Sequence, residues 1–293
     1  MCRMEGESQA CHLPGSPFRI PIVMRSLPPK AFCAMIALRP LPGAPRYDGN
    51  DRAILVEALS DLDHYLAAGV DAVVLENSHD LPYIKPPLPA RAVALVKRIG
   101  RAVRKRFAGP IGLQMLEAAN ECALDIARDC AFDFLRVEGF VFAHIGGAGL
   151  IEGCAGHLLR QRKTLGCEHI RILGDVKKKH CSHALTGDLD ITDVVKQSEF
   201  FLADGVIVTG PRTGECPDLR ELKRVKAVAR TPVLIGSGLT PENIARYLPW
   251  ADAFIVGSTL RKNGEFLGRL DPDRLARFVS AFRGARERLD GRG

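Results

Sequence analysis

Acidic, basic and imidazole side chains follow several short apolar segments of this chain, where they could transfer protons or stabilise charge. The candidates are Glu76, Arg136, Glu138, Asp175, Lys179 and His180, with Asn77, His144 and His183 as further polar residues nearby. A carboxylate beside an imidazole or amine can act as general acid and base, and clustered charges shift pKa values toward neutrality. We therefore predict acid–base chemistry by Asp175 with His180, or by Glu76, with Lys179 or Arg136 stabilising developing negative charge.

The same residues allow other interpretations. Arg136 and Glu138 alternate in one predicted strand, so both would point into the fold and could form only a structural ion pair, because unpaired buried charge is costly. The charges that follow Asp175 could also be solvated loop residues. His180 and His183 could bind a divalent metal with Asp175 or Glu76, with magnesium and zinc both open.

Two glycine turns have the pattern of a phosphate site: the first is Gly236–Gly238 and the second is Gly257–Ser258. The segment TPVLIGSGLTPENI predicts a strand, a glycine turn and a helix with Thr240 as N-cap and Pro241 at its first position. Adjacent turns of this kind at the carboxyl ends of parallel strands present backbone N–H groups to an anion. The predicted phosphate-binding residues are Thr209, Gly210, Gly236, Ser237, Gly238, Gly257 and Ser258. The alternative is that glycine only permits a tight turn.

These residues must be positioned by a regular alternation of strands and helices. Short, nearly continuous apolar runs predict eight strands of a buried parallel sheet. The predicted strands are Cys33–Leu38, Asp71–Leu75, Ile111–Leu116, Phe134–Val137, Ile170–Val176, Gly205–Val208, Val233–Ile235 and Ala253–Val256. Amphipathic helices lie between them, including one across Ala90–Phe107, and a last helix runs from Asp271 to Leu289. The pattern predicts an α/β fold, a closed (β/α)₈ TIM barrel, with its active site at the carboxyl ends of the strands.

Composition limits the class of protein. A chain of 293 residues with 46% hydrophobic content fits one barrel domain. We expect residues 1–31 to be a poorly ordered leader, 32–289 the barrel, and 290–293 a tail. Nine cysteines without a CxxC pair favour reduced thiols, and no apolar run suits a signal peptide or a transmembrane segment, so we expect a cytoplasmic protein. The net charge of +7 lies partly in solvated helix faces, and no nucleic-acid motif accompanies it.

Several long motifs resemble the BtpA family. They include VDAVVLENSHDLPY, FDFLRVEGFVFAHI, ILGDVKKKHCSHALTGDLDI, PVLIGSGLTPENI and ADAFIVGSTLRKNG, and the resemblance extends from about Met35 to Phe278. It implies a barrel akin to ribulose-phosphate-binding barrels, cytoplasmic or peripherally associated with a membrane. The family takes its name from photosystem I biogenesis in cyanobacteria, and other members are described as sugar- or nucleoside-processing proteins. The candidate residues fall where the family has its characteristic polar and glycine positions.

The chain departs from the family at three positions. Many members have histidine at the end of the first strand, where this chain has Ala37, and the related branch has an acidic pair where this chain has Gly147 and Ala148. Loss of those groups would remove an activity that depends on them. Two hypotheses follow: an enzyme acting on a phosphorylated sugar or nucleoside, or a non-catalytic biogenesis factor for photosystem I or another membrane complex. A homo-oligomer is suggested only by analogy with other barrels.

Overall fold

The computed structural model of this chain describes residues 26–212 and 214–291. Its strands are β1 (Ala31–Ala37), β2 (Ala72–Glu76), β3 (Ile111–Gln114), β4 (Phe134–Val137), β5 (His144–Gly146), β6 (Gly149–Ile151), β7 (Arg171–Val176), β8 (Gly205–Val208), β9 (Val233–Ile235) and β10 (Ala253–Val256). Its α-helices are α1 (Asp51–Ala68), α2 (Ala90–Arg106), α3 (Asn120–Asp129), α4 (Ala155–Thr164), α5 (Ile191–Phe200), α6 (Leu219–Val228), α7 (Ile244–Tyr247) and α8 (Pro272–Asp290).

Eight of these strands form the closed parallel barrel that the sequence predicts. The order around the barrel is β1, β2, β3, β4, β7, β8, β9 and β10, and β10 pairs with β1 to close it. Ala31 already belongs to β1 and pairs with Ala253. The expectations for residues 1–25 and 292–293 lie outside the described residues. In the described part of the chain, no helix combines the length and apolarity needed to cross a bilayer.

Alternation along the strands divides the core into two layers. Residues such as Cys33, Met35 and Val74 fill the barrel interior, while their neighbours pack outward against the helices. The ring of Phe134 lies across the interior beside Gly112, where a Cβ would come within 2.2 Å of that ring. The barrel interior at this level is therefore packed with side chains.

Two local features differ from the prediction. The helix after the first glycine turn begins only at Ile244, because residues 241–243 form a turn in which Asn243 Oδ1 accepts a hydrogen bond from Thr240 N at 2.8 Å. The predicted N-cap role of Thr240 is therefore wrong, and α7 has only four residues. The long connection after β4 contains an unpredicted antiparallel hairpin, β5–β6, whose three-residue strands were too short to give a sequence signal.

Candidate functional site

A small cavity of about 50 Å³ lies at the mouth of the barrel. Its lining includes the predicted residues Glu76, Arg136, Lys179, Gly236, Ser237, Gly238, Gly257 and Ser258. It also includes Met35, Ala37, Ser78, Thr259, Arg261 and Phe266. The two glycine turns and part of the predicted charged group thus face the same space.

Arg136 and Asp175 form a buried ion pair below this cavity. Arg136 Nε donates to Asp175 Oδ1 at 3.1 Å, and Nη2 donates to Oδ2 at 3.0 Å. The two side chains are 5% and 0% exposed. Arg136 Nη1 also donates to the carbonyl of Gly236 at 3.4 Å, which ties the guanidinium to the first glycine turn. Asp175 therefore holds Arg136 in place and does not itself line the cavity.

Lys178 neutralises two other buried carboxylates. Its Nζ lies 3.0 Å from Glu117 Oε1 and 3.1 Å from Glu138 Oε1. Burial opposes the charge on Lys178, but Glu138 and Glu117 outweigh it and raise the pKa of its ammonium. Burial also raises the pKa of Glu138 to about 7, against the opposing effect of Lys178. Glu138 further accepts hydrogen bonds from Gln114 Nε2 and from the amide of Ala118, so each of its oxygens has at least one protein partner.

The loop of the β5–β6 hairpin donates backbone hydrogen bonds to the buried side chain of Glu117. The backbone amides of Gly147 and Ala148 donate to Glu117 at 3.2 and 2.9 Å. The hairpin loop therefore stabilises the buried carboxylate of Glu117 with two backbone N–H groups. Acidic side chains here would add like charge next to Glu117, which already depends on Lys178.

Glu76 and Lys179 are the ionisable residues of the cavity that remain without an ion pair. Among the described residues, Glu76 accepts a hydrogen bond from Ser78 Oγ at 2.7 Å, and Lys179 has no side-chain hydrogen bond or ion pair. Burial and then the neighbouring Arg136 lower the pKa of Lys179 to about 8. An amine whose pKa lies close to neutral pH and a carboxylate thus share one small cavity.

The glycine turns can offer backbone donors to a ligand. Within the described residues, the amides of Gly238, Gly257 and Ser258 donate to no protein acceptor. The backbone also requires glycine at position 238, because its φ is +79° and a Cβ would lie 2.2 Å from the backbone of Glu215. The segment after Gly257 is a three-residue 3₁₀ turn, Ser258–Leu260, and α7 is similarly short. Any anion site here therefore relies on individual N–H groups and nearby cations, because neither helix is long enough for a substantial dipole.

The other predicted residues lie elsewhere. Asn77 binds the backbone N–H and carbonyl of Leu116 and has a structural role. His144 and His183 contact each other, with ring centroids 5.5 Å apart, in a separate small pocket that Asp175 and Lys178 also line. His180 is exposed and outside the lining of either pocket. Thr209 and Gly210 lie next to the first glycine turn but do not line the cavity, and Gly210 N donates to Ser237 Oγ at 3.4 Å.

A divalent metal site is not supported at these residues. In the part of the chain that the structure describes, no three His, Cys, Asp or Glu side chains converge on a point where a metal ion could bind. His183 Nε2 lies 2.8 Å from the carbonyl oxygen of Lys178. One ring nitrogen of His183 is therefore already engaged by the backbone.

Several residues at the mouth had no clear sequence signal. The most important are Lys178, Glu117 and Arg261. The side chain of Arg261 is only 2% exposed, and it donates a hydrogen bond to the carbonyl of Met35 at 3.3 Å. The sequence rule favoured polar residues directly after a strand, whereas Arg261 follows the whole turn after β10. Arg261 also pairs with Asp61 at 3.4 Å, and burial raises the pKa of Asp61 to about 6.

Acidification should destabilise the fold through His79, next to the mouth. Burial lowers the pKa of His79 to about 4, whereas an unfolded histidine titrates near 6.5. The unfolded chain therefore binds the proton more readily, and stability present above pH 6.5 is lost as the pH falls toward 4. We expect about 2 kcal/mol from this residue after allowing for partial solvent screening. Urea unfolding between pH 7.5 and 4.5 should show a smaller loss for His79→Leu than for wild type.

Exposed His157 provides the control for this measurement. His157→Leu on α4 should leave the pH dependence unchanged. An equal change of slope in the two variants would contradict the assignment to His79.

Comparison with known sequences places the chain among related proteins. The family model described as the BtpA family matches residues 29–284. An uncharacterised mitochondrial protein of Caenorhabditis elegans is 42% identical over 250 residues, covering 84% of this chain and 90% of that protein. The photosystem I biogenesis protein BtpA of Synechocystis is 33% identical over 250 residues, covering 84% and 86% of the two chains.

Comparison with solved structures shows the fold alone. A thiamine phosphate pyrophosphorylase from Pyrococcus furiosus has a TM-score of 0.53 and 11% identity, covering 87% of this chain and 96% of its own. A phosphoribosyl anthranilate isomerase from Thermus thermophilus has a TM-score of 0.54 and 13% identity, covering 87% and 98%. Both superpose over most of the barrel.

Proposed function

The chain belongs to the BtpA family, and we propose that its barrel mouth binds a phosphorylated sugar or nucleoside and acts on it by acid–base chemistry. The observation that carries this proposal is the set of residues that line the cavity. It places Glu76 and Lys179, the ionisable lining residues without an ion pair among the described residues, beside glycine turns whose amides are available. Hydrolysis, isomerisation and lyase reactions are all compatible with these groups.

The phosphate end of the ligand would lie between the two turns. The amides of Gly238, Gly257 and Ser258 can donate to its oxygens, and the cations Arg136 and Arg261 line the same cavity. The names of two structural neighbours, thiamine phosphate pyrophosphorylase and phosphoribosyl anthranilate isomerase, also contain phosphorylated compounds. This agreement supports the ligand class, and the geometry of the turns supports the position.

Glu76 is the favoured acid–base residue. Asp175 was an equal candidate from the sequence, but both of its oxygens are engaged by Arg136. Glu76 has one oxygen bound by Ser78 and lines the cavity directly. His180 lies outside the cavity lining, so the proposed chemistry does not use it.

A carboxylate introduced at Gly257 should abolish phosphate binding. A Cβ at Gly257 would meet Met35 Cβ at 3.4 Å, an ordinary contact, so this position tolerates a side chain better than Gly238. With ribose 5-phosphate at 100 times its Kd, the wild type should gain about 2.7 kcal/mol, or about 5 °C in Tm. Gly257→Asp should gain almost nothing, because its charge repels the phosphate.

Gly257→Asn is the matched control, because it has nearly the same shape and no charge. It should retain more of the thermal shift than Gly257→Asp. Ribose without phosphate should stabilise neither protein. An undiminished shift in Gly257→Asp would place the ligand elsewhere.

The second candidate is a non-catalytic assembly factor, favoured by the 33% identity to the Synechocystis biogenesis protein. In that case the barrel would serve as a scaffold, and its surface rather than its cavity would act. The same variant separates the two candidates. If the protein is an assembly factor, its Gly257→Asp variant should still support photosystem I accumulation in a Synechocystis strain lacking BtpA. If it is an enzyme, the variant should fail to do so.

A further inference from the structure

We propose that Lys179 is a nucleophile that forms an imine with the carbonyl group of an open-chain phosphorylated aldose or ketose held at the barrel mouth. This inference rests on the proposed function, because the phosphate site determines which end of the ligand faces the lysine. It assigns to Lys179 a covalent role, beyond the stabilisation of charge.

The first argument is the contrast among three consecutive lysines. Lys177 Nζ donates to the carbonyl of Leu189 at 2.7 Å, and Lys178 is held by two carboxylates. Lys179 has neither kind of partner among the described residues, yet its side chain lines the cavity. An amine without a counter-ion in a confined polar space is the one that can lose its proton and attack a carbonyl carbon.

The second argument is the charge around this amine. Arg136 lines the same cavity and is permanently protonated, so it disfavours a second cation close by. Burial and Arg136 together bring the pKa of Lys179 to about 8, against the opposing attraction of Glu76, Asp175 and Glu138. At pH 7 its neutral fraction would be on the order of a hundred times that of an ordinary lysine.

The reaction balances with groups already present. The neutral amine adds to the carbonyl carbon, and the carbonyl oxygen takes up a proton as the nitrogen loses one, which gives a carbinolamine. Loss of that hydroxyl with a further proton as water leaves the imine. Glu76, in the same cavity, can carry the proton between nitrogen and oxygen. The imine draws electrons from the adjacent carbon, which favours proton removal or carbon–carbon cleavage there.

Borohydride trapping tests this proposal directly. The full chain would be incubated with glyceraldehyde 3-phosphate at pH 7, reduced with sodium borohydride and mapped by peptide mass spectrometry. We expect the reduced adduct, the mass of the aldehyde less one oxygen, at Lys179 with at least tenfold higher occupancy than at any other lysine. Lys179→Met should lose it, and Lys177→Met should keep it.

Two further measurements make the outcome decisive. Circular dichroism and a second variant, Lys179→Gln, establish that the loss is not due to unfolding. Adducts spread evenly over surface lysines, or unchanged labelling in Lys179→Met, would overturn the role of Lys179. If that occurs while ribose 5-phosphate still stabilises wild type but not Gly257→Asp, the phosphate site stands and only the imine is wrong. Equal labelling of Lys179 by unphosphorylated glyceraldehyde would support the nucleophile and contradict the phosphate site.

Discussion

Replacing Lys178 with methionine should lower the free energy of unfolding by about 3–5 kcal/mol, a large part of the stability of a typical domain. The reason is the position of this side chain between Glu117 and Glu138, which are 3% and 2% exposed. Without the ammonium, two carboxylates would remain buried and close together. At neutral pH the chain would have to protonate one of them or expose it to water. Urea unfolding at pH 7 measures the loss.

Two controls identify the cause of this loss. Lys177→Met removes a neighbouring lysine that makes one hydrogen bond to a carbonyl, so it should cost only about 1 kcal/mol. Adding Glu117→Gln and Glu138→Gln to Lys178→Met should recover much of the lost stability, because no uncompensated charge remains. If the triple variant is as unstable as the single one, lost packing rather than charge is responsible.

Replacing Arg136 with methionine should also cost about 3–5 kcal/mol, because it leaves Asp175 buried without its counter-ion. The exposed pair Arg106–Asp63 offers a matched comparison, and Arg106→Met should cost no more than about 1 kcal/mol. Chemical unfolding of both variants tests the difference. Similar losses in the two would contradict a special contribution from the buried pair.

The double variant Arg136→Met with Asp175→Leu separates stability from function. Apolar residues of similar volume can replace a buried ion pair at little cost, so much of the stability should return. Stabilisation by ribose 5-phosphate should be weaker than in wild type, because Arg136 is one of the two arginines that line the cavity. A fully stable double variant that still responds to the ligand would show that Arg136 does not contact it.

The barrel itself could be predicted almost completely from sequence. Phe134–Val137, Gly205–Val208, Val233–Ile235 and Ala253–Val256 are strands at the predicted residues. Buried parallel strands are continuous apolar runs that end at glycine or charged residues, so their ends are well marked in sequence. The rule that polar residues after a strand face the mouth also identified Glu76 and Lys179, which do line the cavity.

The partners of the charged residues could be predicted only in part. Asp175, Lys177 and Lys179 occupy alternate positions in the sequence, which in a regular strand would put them on one side of the sheet, but Lys177 has a φ of +46° and ends the regular strand geometry. Lys178 consequently turns toward Glu117 and Glu138, which alternation did not predict. Glu117 itself follows β3 by three residues, and its amide donors come from a hairpin that the sequence did not reveal.

The ring of Phe134 beside Gly112 limits the route by which a ligand can enter and leave the barrel. Because this aromatic ring fills the interior of the barrel, a molecule that binds at the mouth would have to enter and leave from the carboxyl ends of the strands. A bulky compound bound across those strand ends should therefore slow both the binding and the release of a smaller ligand.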